Sequence, residues 1–113
     1  MNKYFIPSAD RKGSCYYEFY VGTWDKKKMQ FWHKDSICIT MYDWNATGFE
    51  ALVADVIRKY DPYGNTAVTK EQWDTILQRA NAAGGDLWSV VYEAADWATQ
   101  NFLRHKVFTI LGI

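Results

Sequence analysis

Cys15-Tyr16-Tyr17-Glu18-Phe19-Tyr20-Val21 is the stretch that decides the fold. Cys15, Tyr17, Phe19 and Val21 fall on one side of an extended segment, and Tyr16, Glu18 and Tyr20 on the other. This two-residue period predicts a half-buried strand, because successive strand side chains point to opposite faces. Gly22-Thr23-Trp24-Asp25 with Lys26-Lys27-Lys28 reads as the turn that follows. Met29, Phe31 and His33 then alternate with Gln30, Trp32 and Lys34, which predicts a second strand. His33-Lys34-Asp35-Ser36 reads as a tight connection. Ile37, Ile39 and Met41 alternate with Cys38, Thr40 and Tyr42, which predicts a third. Strands so close together predict an antiparallel meander. Tyr4-Phe5-Ile6 adds a short edge piece.

From Thr47 the period becomes helical. Thr47-Gly48-Phe49-Glu50 matches a capping box, and Phe49, Leu52, Val53, Val56, Ile57 and Tyr60 form one apolar stripe ended by Asp61-Pro62. Thr69-Lys70-Glu71-Gln72 is a second capping box, with Val68 and Trp73 placed as a hydrophobic staple. Trp73, Ile76, Leu77 and Ala80 give that helix a narrower stripe, stopped by Ala83-Gly84-Gly85. Asp86 is expected to cap a third helix running to about Arg104. Its apolar arc is broad: Leu87, Val91, Ala94 and Ala98 lie near the centre, with Trp88 and Trp97 at margins about 180° apart. The near-continuous apolar run of residues 107–113 predicts a strand returning to pair inside the sheet.

The expectation is one α+β domain over residues 1–113. It has an antiparallel sheet of about four strands, an N-terminal meander plus a returning C-terminal strand, packed with three helices mainly on one face. A chain this long buries roughly 65% of its unfolded surface and holds a core without staples.

Six Trp, eight Tyr and six Phe stand in 113 residues beside only two His and two Cys. Aromatics supply contact area in cores and at interface centres. Thirteen basic and thirteen acidic residues balance, which speaks against a nucleic-acid module, since phosphate binding rests on clustered cations. Lys26-Lys27-Lys28 is read as a solvated turn, with a phosphate-contacting loop as the alternative. No export signal or membrane-length apolar run is visible, so the expected location is the cytoplasm, with Cys15 and Cys38 reduced.

The reactive constellations are weak. Residues 61–72 invite a calcium-loop reading, but Tyr63, Thr66 and Gln72 occupy positions where such a loop needs a ligand, a glycine and a bidentate glutamate. Cys15, His33 and Cys38 lack paired metal-ligand spacing. A thiol nucleophile formed by Cys15 or Cys38 with His33 is the enzymatic alternative. Glu71 with Asp74, and Glu93 with Asp96, share helical faces and read as solvated. No cofactor or metal is expected.

Trp88 and Tyr92 lie one turn apart on the edge of the third helix, beside Asp96. They are the candidate partner-contact residues, with Glu93 as a rim charge. The alternative is a sugar- or nucleotide-binding module that stacks rings on Tyr20, Trp24 or Trp32.

Phe108-Thr109-Ile110-Leu111-Gly112-Ile113, following a helix that carries Trp97 and Phe102, resembles the endings of small immunity proteins of bacterial polymorphic-toxin and contact-dependent growth inhibition systems. Glu71-Gln72-Trp73-Asp74-Thr75-Ile76 and the aromatic strands fit the same style. The resemblance covers about the last third of the chain, elsewhere only the architecture. It implies a small cytoplasmic protein that binds and blocks a cognate toxin domain, and it transfers no functional residue. The balanced charge departs from the acidic inhibitors common against basic nucleases, so the toxin's class stays open.

Overall fold

The period-two segment forms a strand at the middle of a sheet. In this computed structural model, which describes residues 2–112, five strands pair antiparallel in the order β1-β3-β2-β5-β4. They are β1 (Phe5–Pro7), β2 (Tyr16–Val21), β3 (Ile37–Thr40), β4 (Asn65–Thr69) and β5 (Val107–Leu111). The helices are α1 (Met41–Ala46), α2 (Phe49–Val56), α3 (Lys70–Ala83) and α4 (Gly85–Phe102). The fold is α+β.

The returning strand takes a central place, with Glu18 opposite Leu111 on one side and Asn65 opposite Leu111 on the other. Ile113, the end of that predicted run, lies outside the described residues, as does Met1.

The helices bury one face of the sheet around Phe19. Its ring centroid lies 5.1 Å from Phe5, 5.2 Å from Phe108, 5.8 Å from both Trp44 and Phe49, and 5.9 Å from Trp97. Edge-to-face, tilted and stacked contacts of this kind add to the area each ring buries. Ile39, Val53, Val68, Ile76, Val90, Ala94 and Ile110 complete the same core.

Residues 29–34 do not form the expected strand. They belong to a long loop, 22–36, in which Met29 and Trp32 take left-handed backbone angles (φ 48° and 58°). The loop crosses the other face of the sheet, and its backbone is satisfied by side chains from that face. Trp32 and His33 donate their N–H groups to the two carboxylate oxygens of Glu18 at 2.7 and 2.9 Å. Trp24 N–H donates to Thr109 Oγ1 at 3.2 Å. Two successive N–H groups converging on one carboxylate make an anion-binding nest, filled here from within.

Three other local expectations give way to competing contacts. The third predicted strand stops at Thr40, whose hydroxyl accepts from Asp43 N–H and caps α1, so Met41 and Tyr42 are helical. The box at Thr47 does not form: Gly48, at φ 86°, stands before α2, and the Glu50 carboxylate accepts from Tyr60 Oη at 2.6 Å instead of reaching back. That helix ends at Val56 because Ile57 is extended. Asp86 lies inside the first turn of α4 rather than at its cap, where its charge complements the helix dipole. The Thr69 box forms in full, with Gln72 N–H donating to Thr69 Oγ1 and Thr69 N–H donating to Gln72 Oε1.

Candidate functional site

The broad arc of α4 resolves into two margins with different fates. Val90, Val91, Ala94 and Ala98 are fully buried along its centre. The Trp97 margin is closed: the ring packs on Phe19 and Phe108, and its Nε1–H donates to the Asp35 carbonyl at 2.8 Å. The Trp88 margin meets water. Trp88 rests partly buried against the core, and Tyr92 lies 5.3 Å from it, tilted by 47°. Tyr92 is 64% exposed, so most of one ring and part of another face outward from a helix that is fully backed.

Tyr92, Glu93 and Asp96 line one shallow depression of about 310 Å³ together with Asn2 and Ala95. Trp88 adjoins it through Tyr92. The four expected contact residues are therefore neighbours, but Glu93 does not stand free as a rim charge. Its Oε1 accepts from the N–H groups of Tyr4 and Phe5, and its Oε2 from that of Lys3, at 2.8–2.9 Å. It ties β1 to α4. Asp96 remains the exposed carboxylate of the set.

The rings of the alternative ligand reading are engaged within the loop. Tyr20 meets His33 edge-to-face and donates its hydroxyl to Gln30. Trp24 packs on Phe31 and donates Nε1–H to the Gln30 carbonyl. Trp32 lies under the Arg11 guanidinium, 4.2 Å from the ring centre, a cation–π contact.

The thiols differ sharply. Cys15 is exposed and Cys38 fully buried. Burial first, then the neighbouring Glu18 charge, pushes the Cys38 thiol up to about 12, with Arg11 opposing. At neutral pH it stays protonated, the unreactive form. His33 Nδ1 accepts from Asp35 N–H at 3.0 Å. Among the described residues no three His, Cys, Asp or Glu gather as metal ligands, and no helix is long and apolar enough to cross a membrane.

A direct expectation follows. A maleimide at pH 7.5 should modify Cys15 in the folded protein and reach Cys38 only after unfolding; equal labelling would place Cys38 at the surface. The same proton gives a pH dependence. Its folded affinity lies above the ordinary value of 9.0, so its contribution is complete below about pH 9 and is lost as pH rises toward 12. Urea midpoints should fall across that window, less steeply in Cys38→Ser.

Two carboxylates fasten the fold in ways that local sequence does not announce. Glu18 gives no sign of its role in sequence beyond being a carboxylate among aromatic strand residues. Glu50 joins Tyr60, Tyr17 and Asn45 in one polar cluster, and Tyr60 in turn accepts from Trp44 Nε1–H at 3.0 Å. Burial, then the Glu50 hydrogen bond, raises the Tyr60 hydroxyl well above its usual range. These contacts fasten α1, α2 and β2 to the segment before β4.

Compared with protein-family models, curated proteins and solved structures, the chain matches none.

Proposed function

We propose that this chain is a non-enzymatic protein-binding domain that neutralises a cognate bacterial toxin domain by stoichiometric contact. The observation that carries the reading is the Trp88–Tyr92 pair, held on a fully backed helix beside the exposed Asp96. A mostly exposed tyrosine over a partly buried tryptophan is the kind of anchor that contributes most of the energy at protein interfaces. Asp96 supplies a charge that steers and orients a basic partner. The resemblance of the last third of the chain to immunity proteins points the same way.

The two rings should behave differently on truncation. Tyr92→Ala is expected to change stability by no more than about 0.5 kcal/mol, as for an exposed side chain. Trp88→Ala should cost about 1–2 kcal/mol, because its ring also packs on the core. Thermal melts of both variants check this. A large loss in Tyr92→Ala would make it a packing residue.

The functional experiment searches the genes adjoining this chain's for a secreted toxin and expresses its toxic domain in a sensitive cell; the lack of any such neighbour would itself count against the reading. Co-expression of the chain should restore growth, and the double variant Tyr92→Ala/Asp96→Ala should not. Rescue by the double variant would move the interface elsewhere, and no rescue by the natural chain would remove the toxin reading.

A further inference from the structure

The two edges of the sheet are treated differently. An edge strand presents unpaired N–H and C=O groups that template another strand unless something blocks them. At β1, Ser8 N–H donates to the Ser36 carbonyl, and in the Phe5–Ile39 register this sets Phe5 and Pro7 pointing their backbone groups outward. Phe5 N–H is taken by Glu93, and Pro7 has no N–H to offer. That edge is shut against an added strand.

At β4 nothing of the kind occurs. Gly112 N–H donates to the Gly64 carbonyl at 2.7 Å. With Asn65 opposite Leu111, the alternation of an antiparallel ladder turns Thr66 and Val68 toward β5. Asn65 and Ala67 therefore aim both backbone N–H and C=O away from the sheet. Thr69 N–H, the next in phase, is occupied by Gln72. Beside this edge runs a groove of about 520 Å³ whose lining includes Val56, Ile57, Arg58, Lys59, Asn65 and Ala67. It has apolar side chains, two cations and no carboxylate. The salt bridges among the described residues, Lys70–Asp74 and Arg79–Asp55, leave Arg58 and Lys59 uncommitted.

We infer that the β4 edge is a second docking site, which takes an extended acidic segment of a partner protein as a sixth strand. Strand addition draws its affinity from main-chain hydrogen bonds and its selectivity from alternate side chains. Asn65 and Ala67 supply the first, and Val56, Arg58 and Lys59 the second. The cations select an acidic segment over a second copy of this chain, which would bring its own Arg58 and Lys59 to the junction. This site lies at the opposite edge of the sheet from β1 and its Glu93 tie, and does not depend on the toxin reading.

The test uses a labelled, N-acetylated heptapeptide of alternating Glu and Val, with a Lys/Val peptide as control. The acidic peptide should bind saturably and slow amide exchange at Asn65 and Ala67, while the control does neither. Ala67→Pro removes one outward N–H and leaves the β5 ladder whole. It should weaken binding about ten-fold, as should Arg58→Glu/Lys59→Glu. Should Ala67→Pro fail to fold, a peptide N-methylated at alternate residues makes the same test from the other side and should not bind. Millimolar acidic peptide that leaves both amides unprotected would overturn the inference, as would equal binding of the basic peptide. Protection that grows with protein concentration without peptide would also overturn it, in favour of a second copy.

Discussion

Phe19→Ala is expected to destabilise the fold by about 4 kcal/mol, the upper range for deleting a fully buried ring. Phe19 is completely buried and lies within 6 Å of five other aromatic rings drawn from β1, α1, α2, α4 and β5. Truncation removes its transfer free energy and leaves a cavity that five rigid neighbours cannot easily fill. Against the usual 5–15 kcal/mol of a domain this is a large fraction. Urea unfolding should show a much lower midpoint with an unchanged slope. A loss below about 1 kcal/mol would mean that the core is not organised around this ring.

Glu18 sits next along the same strand and faces the other way. It is 1% exposed, and its carboxylate accepts two backbone N–H groups from the 22–36 loop. Glu18→Ala strips both acceptors and leaves the Trp32 and His33 amides without partners. Hydrogen bonds to charged groups are worth about 1.5–3 kcal/mol each, so a total loss of about 3 kcal/mol is expected. The signature differs from that of Phe19. The loop should detach first, seen as rapid amide exchange at Trp32 and His33 while the Phe108 amide stays slow. Glu18→Gln keeps one acceptor oxygen and should fall between. Unchanged stability with both loop amides still protected would show that the carboxylate does not hold the loop.

These neighbours also show what the sequence makes legible. Phe19 lies on the predicted apolar side of a strand whose alternation is plain. The buried stripes of α2 and α3, Phe49-Leu52-Val53 and Trp73-Ile76-Ala80, follow from helical spacing in the same way. So does the return of β5, whose apolar run announces a strand covered on both faces. The Thr69 box was readable because its four residues are contiguous.

What escaped depends on partners distant in the chain. Residues 29–34 alternate like a strand, but the Glu18 carboxylate holds Trp32 and His33 in a loop, and nothing local encodes that. β4 is short and rich in Asn, Thr and Ala, so it carries no clear alternation of large apolar residues within the 61–72 segment. Thr47 and Glu50 fit a capping pattern, yet Tyr60 competes successfully for the carboxylate. At the proposed contact surface, the exposed Tyr92 follows from the width of the α4 arc. The role of Glu93 does not, because its partners lie about ninety residues away.

The most direct test of the central claim is a calorimetric titration of the folded chain with a candidate toxin domain drawn from the genes that adjoin its own, run in parallel with Tyr92→Ala/Asp96→Ala. The account predicts one-to-one binding by the natural chain. It predicts a loss of about a hundred-fold or more in the double variant, as for an interface anchor, at an unchanged melting temperature. Equal affinity in the two proteins, or no heat of binding from the natural chain at all, would contradict it.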